Sequence, residues 1–201
     1  MIKFAAQNVI DMKGTYIFLA EGFEPLEALA PMDILKRANV KCKFVSMDGS
    51  PVVMSTHNFG IQATIGWNGF VRESEESGIE CIIFPGGLPG ADNLGNNPEL
   101  IAVLRKHFAE GGLTCAICAA PERVLARNLG IALSGRRMTG YDGFSKLITE
   151  AGAIYTGSDV EVDGNLITAK GPGLAIDFGL AIMKKMVDPR IYDVAKHAMM
   201  L

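Results

Sequence analysis

Long apolar runs are missing from this 201-residue chain. The first stretch, residues 1–12, carries one lysine and a few apolar side chains before Gln7, Asn8 and Asp11 interrupt it. It is too short and too polar for a secretory signal or a spanning helix. Charge of one sign is also scarce. A formal net charge of −3 leaves no basic surface for nucleic acid or an anionic membrane, and neither partner is expected. Histidine occurs only 3 times, and His57, His107 and His197 fall in no ligand-type spacing, so no metal is expected. No Lys-Ser or Lys-Thr follows a glycine loop, which excludes a phosphate loop. Repeats, low-complexity tracts and composition breaks are lacking too. Residues 1–12 therefore read as an N-terminal extension and 13–201 as one domain. The 4 cysteines lie in apolar segments and, without a signal, point to reduced thiols in the cytoplasm.

What is present is an alternation of short apolar strands and amphipathic helices. Strands are expected at Thr15–Ala20, Lys41–Met47, Cys81–Phe84 and Leu113–Ile117, with an antiparallel excursion between Asp48 and Trp67. Helices are expected from Pro25 to about Ala38, Pro98 to Glu110, Ala119 to Gly130 and Leu174 to Met186. Asp163-Gly164-Asn165 predicts a hairpin turn. A final helix from Pro189 carries Ile191, Val194, Ala195 and Ala198 on one side, ready to pack on its own domain or a second subunit. This order implies an α/β fold: an open, mostly parallel sheet with helices on both faces. Sites in such sheets lie beyond the carboxyl ends of the strands.

Cys118 sits at the junction of the Leu113–Ile117 strand and the following helix. A nucleophile elbow belongs there, and Ala116 and Ala120 supply the small flanking residues that it needs. The helix start at Ala119 is expected to favour the thiolate through its free N–H groups and dipole. Glu27 lies in the first turn of the helix after the first strand, and Pro31, four residues on, leaves its carbonyl without a helical partner. A carboxyl beside a thiolate resists carrying a second charge, so Glu27 is expected to hold a proton and shuttle it. Gly86-Gly87 can present bare backbone N–H groups; with the Ala119 N–H they would form an oxyanion hole, although a plain tight turn fits the spacing equally well. Cys115 and Cys118 form a C-x-x-C. Three residues along a strand put the side chains on opposite faces, which argues against a dithiol pair. Cys42 and Cys81 read as core.

Four segments, Glu21–Ala28, Phe84–Leu94, Ala116–Pro121 and Thr168–Phe178, resemble the ThiJ/PfpI superfamily, and more narrowly its DJ-one-like branch of bacterial type. The resemblance implies a flavodoxin-like three-layer sandwich and a homodimer. It makes Cys118 the reactive, oxidation-prone cysteine, Glu27 its partner carboxyl and Gly87 the backbone donor beside the sulfur. It implies a cofactor-independent enzyme acting on small reactive carbonyls, by glyoxalase or deglycase chemistry. The alternatives are an oxidative-stress sensor or chaperone working through Cys118 oxidation, and an intracellular cysteine peptidase. Two departures stand out. Tyr141 occupies the place of a histidine in many relatives, and Ala119 replaces the histidine that follows the cysteine in the peptidase-like branch. Peptide cleavage needs an acid for the leaving amine, which Ala119 cannot supply. His57 falls near where relatives place a basic residue at the pocket mouth, although a surface loop position is the simpler reading.

Overall fold

Every strand that the chain buries in mid-sheet must satisfy two cores at once. The computed structural model describes residues 13–201; the expected N-terminal extension lies outside the described residues. In chain order come β1 (Gly14–Leu19), α1 (Pro25–Arg37), β2 (Cys42–Ser46), β3 (Val52–Met54), β4 (Gly60–Gln62), β5 (Ile65–Gly66) and α2 (Trp67–Ser77). Then follow β6 (Ile79–Phe84), α3 (Gly90–Gly95), α4 (Pro98–Ala109), β7 (Leu113–Ile117), a π-helical stretch (Pro121–Ala126) and α5 (Arg127–Leu129). The chain ends with β8 (Arg137–Met138), α6 (Lys146–Glu150), β9 (Ile154–Tyr155), β10 (Val160–Asp163), β11 (Leu166–Ala169), α7 (Ala175–Met186) and α8 (Pro189–Ala198).

The main sheet has 7 strands in the order β10-β11-β7-β6-β1-β2-β5. All neighbours are parallel except β10 and β11, which form the expected antiparallel hairpin. Register explains the apolar runs. Phe44, Ile17, Ile83, Cys115 and Ile167 make one row across β2, β1, β6, β7 and β11. That row faces α1, α7 and α8, where Ala28, Ile34, Phe178, Ile182 and Ala195 complete a core. Tyr16, Phe18, Ile82 and Phe84 point the other way, onto Phe70, Leu94, Leu104 and Val124. With both faces covered, neither set of side chains can be polar, hence no alternation. Phe18 meets Phe70 edge-on with centroids 5.0 Å apart and stacks on Phe84 at 5.6 Å. Truncating Phe18 to Ala is worth about 3–5 kcal/mol.

Two expectations need correction. The segment after Cys118 is not a plain α-helix: Pro121–Ala126 winds as a π-helix before α5. Pro121 has no N–H to give, and the Asn128 side chain donates to the Val124 carbonyl at 3.0 Å, holding the widened turn. On α8, Ala195 is buried with Ile191, Tyr192 and Met199 against the chain's own core, whereas Val194 and Ala198 face outward. Trp67–Ser77 forms an 11-residue helix with Phe70 as its buried anchor.

Candidate active site

Parallel strands end on one side, so the loops after β1, β6, β7 and β11 meet there. The β7 strand stops at Ile117, and Cys118 adopts φ +64°, a left-handed conformation costing a β-carbon residue of order 1–3 kcal/mol. Two backbone bonds hold it: the Cys118 N–H donates to the Ala169 carbonyl at 2.9 Å, and the Tyr141 N–H donates to the Cys118 carbonyl at 2.8 Å. The turn predicted from small flanking residues is thus a strained elbow clamped from both sides. Cys118 is also the one partly exposed thiol among the four; Cys42, Cys81 and Cys115 are buried.

Glu27 reaches the same point from α1. Glu24 caps that helix, its carboxylate accepting from the Glu27 N–H at 2.8 Å, and the chain runs helical through Pro31. The Glu27 side chain is fully buried. Its Oε2 accepts the Gly86 N–H at 2.7 Å, whereas Oε1 has no nitrogen or oxygen partner. The Cys118 sulfur faces this carboxyl. Burial, helped by the Glu24 charge, pushes the Glu27 carboxyl up to about 8. Burial also pushes the Cys118 thiol up to about 12, with the Glu27 charge and hydrogen bond adding to it and the Ala119 and Gly87 N–H groups opposing it. The expectation of a thiolate favoured by the helix start therefore fails. Two amides cannot offset loss of solvent plus a facing carboxyl, and near neutral pH the pair is mostly uncharged.

The glycines are sterically required here. A β-carbon on Gly86 would lie 2.8 Å from Cys118 Cβ and 2.9 Å from both the Ala119 nitrogen and Glu27 Oε2. Gly87 has φ +82°, and a β-carbon there would come within 2.6 Å of the Gly22 carbonyl oxygen. Gly86 thus positions the carboxyl and Gly87 directs its N–H at the sulfur. Tyr141 is half exposed and lies on the loop bonded to Cys118. His57 is exposed in the β3–β4 turn, which is tied to the loop before α1 through the Phe23–Ser55 bridge. Cys115 has another thiol as its neighbour. Its Sγ lies 3.7 Å from Cys81 Sγ inside the core, a neighbour set by the β6–β7 register.

Sequence reasoning missed Asp142 and Lys170. They line a cavity of about 460 Å³ between the Tyr141 loop and the segment after β11. Only the fold brings those two segments together. Among the described residues no group of three or more His, Cys, Asp or Glu side chains could hold a metal ion. No described helix is long and apolar enough to cross a membrane.

The model of the DJ-1/PfpI family matches residues 13–185. The chain belongs to that family. Within it, the chain is 31% identical over 185 residues to Protein dj-1beta of Drosophila melanogaster, covering 92% of this chain and 95% of the fly protein. The crystal structure of Drosophila DJ-1beta superposes with a TM-score of 0.82 at 30% identity, covering 94% of this chain and 98% of that one. Protein DJ-1 homolog A of Arabidopsis thaliana is 30% identical over 189 residues; the match covers 94% of this chain and 47% of the plant protein, about half its length. A Caenorhabditis elegans relative, named glutathione-independent glyoxalase DJR-1.2, is 28% identical over 169 residues, 84% of this chain and 86% of that protein. The mostly parallel sheet with surrounding helices is thus the flavodoxin-like fold of DJ-1 proteins.

Proposed function

We propose that the chain is a cofactor-independent enzyme that converts small 2-oxoaldehydes to 2-hydroxy acids, with Cys118 as nucleophile and Glu27 as proton shuttle. The observation that carries this is the buried Glu27 carboxyl facing the sulfur, one oxygen held by Gly86 and the other without a nitrogen or oxygen partner. A carboxyl kept protonated by burial donates to an oxygen as negative charge develops on it. In the proposed sequence the Cys118 thiol proton passes to solvent as the sulfur adds to the aldehyde carbon, and the new oxyanion takes its proton from Glu27. The Gly87 and Ala119 N–H groups, which bond the sulfur in the resting site, would stabilise that oxygen. Glu27, now a carboxylate, removes the hydrogen on the former aldehyde carbon and returns a proton to the neighbouring carbon, while the hydroxyl proton passes to the neighbouring oxygen; this leaves a thioester, and Glu27 regains its proton from solvent. Water cleaves it. The sum is one 2-oxoaldehyde plus one water giving one 2-hydroxy acid. The glyoxalase named among the relatives supports the substrate class.

The test is loss of methylglyoxal and appearance of lactate with wild type, Cys118→Ser and Glu27→Gln. Each substitution is expected to lower the rate by about 10² or more. Rates equal to wild type in Cys118→Ser end the proposal.

A second reading, oxidation sensing, rests on a separate observation: Cys118 is partly exposed while the other three thiols are buried. A protonated Glu27 would hydrogen-bond an oxidised Cys118 sulfur and hold it at the sulfinic stage. Mild peroxide should then add oxygen at Cys118 alone, seen by peptide mass mapping; equal oxidation of Cys42 or Cys81 rules it out.

A homodimer is proposed as well. Leu26 and Leu29 on α1 and Val52, Met54 and Phe59 on the β3–β4 hairpin are exposed apolar side chains. The Gly22 N–H donates to the Met54 carbonyl at 2.8 Å and the Thr56 N–H to the Phe23 carbonyl at 2.9 Å, which ties these elements together beside the site. Apolar surface of this kind marks an interface.

A further inference from the structure

We propose that the cavity between the two segments bonded to the Cys118 backbone selects aldehydes that also carry an anionic group, a carboxylate or a phosphate, and that Lys170 receives that group. This deepens the reading of Cys118 as a carbonyl-directed nucleophile and rests on it. The cavity measures about 460 Å³, at the small end of ligand sites. Its two walls are fixed to the elbow itself. Tyr141, on one wall, donates its N–H to the Cys118 carbonyl at 2.8 Å. Lys170, on the other, directly follows Ala169, whose carbonyl accepts the Cys118 N–H at 2.9 Å. Cys118 itself is not part of the lining, and the walls adjoin the elbow through its backbone N–H and carbonyl.

Charge gives the selection. Apart from Lys170 and Asp142, the lining is glycine, Tyr141, Pro172 and Leu174, without a formal charge. Lys170 Nζ stands 3.5 Å from Asp142 Oδ1, beyond good hydrogen-bond length. The Lys170 side chain is 28% exposed and that of Asp142 78%, so the cation is the more buried member of the pair. Asp142 Oδ1 also accepts the Tyr155 hydroxyl at 3.0 Å, which gives that carboxylate a partner of its own. An ammonium has three donors. A substrate anion can take those that Asp142 leaves open, while its aldehyde end turns toward the Gly87 and Ala119 N–H groups.

Alkylation of Cys118 tests this without turnover. Iodoacetate and iodoacetamide both let the sulfur displace iodide: a carbon–sulfur bond forms, the carbon–iodine bond breaks, and the thiol proton passes to solvent. They differ in charge, so the ratio of their rates reports the field at the sulfur and cancels the thiolate fraction. The rates are followed by peptide mass mapping of native protein. The iodoacetate-to-iodoacetamide ratio is expected to exceed that of a small free thiol measured alongside, and to fall toward it as salt rises. Lys170→Met should lower the ratio at least fivefold with the iodoacetamide rate kept, Lys170→Arg should keep it, and Asp142→Asn should raise it. An unchanged ratio in Lys170→Met overturns the proposal, as does failure of both reagents to label Cys118. Loss of methylglyoxal turnover, by contrast, would bear on the catalytic reading alone. If methylglyoxal is turned over, glyoxylate and glyceraldehyde 3-phosphate should compete with it in wild type and at least fivefold less well in Lys170→Met; competition by one anion only identifies which is seated.

Discussion

The Cys118 sulfur lies against the Glu27 carboxyl, and burial raises the proton affinity of both. With the carboxyl at about 8 and the thiol at about 12, the pair is neutral below pH 8 and carries one negative charge above it. Alkylation of Cys118 by iodoacetamide should therefore climb through pH 8 in wild type. Glu27→Gln removes both the titrating carboxyl and its charge, so the step near pH 8 should vanish. A wild-type profile already flat from pH 6 would mean that the thiolate forms without this coupling.

The same carboxyl makes stability depend on pH. In the folded chain it titrates near 8, against 4.5 for an ordinary glutamate. A raised folded value means that the folded state holds the proton longer. Stability is then fully present below pH 4.5 and is lost as pH rises through 8. The loss is on the order of a few kcal/mol, reduced by whatever relaxation accompanies ionisation. Urea midpoints at pH 5 and pH 8.5 should fall further apart for wild type than for Glu27→Gln. Subtracting the variant cancels carboxylates such as Asp163 and Asp48, whose values lie below the ordinary range. Equal pH slopes in the two proteins would contradict the burial argument.

How much of this was legible in the sequence depended on range. The strands were, because a residue such as Ile17 that must fit a core while Phe18 fits the other leaves a continuous apolar run. The elbow was legible from Ala116 and Ala120, and the meeting of Glu27, Gly86-Gly87 and Cys118 from parallel strand ends. The ionisation of Cys118 was not. A local helix start argues for a thiolate, but desolvation and the facing carboxyl are tertiary and larger. The Cys81–Cys115 contact depends on which residues of β6 and β7 come abreast, and the Lys170 cavity joins segments about thirty residues apart that only the sheet order brings together.

Gly86 offers a sharper probe of geometry than any change to the reacting groups. Gly86→Ala would drive a methyl against Cys118 Cβ and Glu27 Oε2, 2.8 Å and 2.9 Å from the new carbon. Neither neighbour can retreat freely, since Cys118 is clamped through its backbone and Glu27 is buried. Overpacking of this kind costs about 1–3 kcal/mol, and a shift approaching 1 Å at reacting atoms lowers rate by about 10²-fold. Methylglyoxal turnover should thus collapse while thermal unfolding stays cooperative. Full activity in Gly86→Ala would show that the sulfur–carboxyl distance is not what sets the rate.

The exposed apolar face beside the site carries the remaining prediction. Phe59 is 61% exposed and Leu26 57% exposed, on elements bridged by the Phe23–Ser55 contact. Neither side chain belongs to the buried core, so Phe59→Asp with Leu26→Glu should leave folding nearly intact. In a dimer the same changes would bury two carboxylates per subunit without partners, a penalty of several kcal/mol. Sedimentation velocity should show wild type at twice the monomer mass and the double variant at the 21.5 kDa monomer mass. Because the hairpin holds the loop that leads into Glu27, dissociation should also lower the methylglyoxal rate without abolishing it. A double variant that remains dimeric would move the interface elsewhere on the molecule.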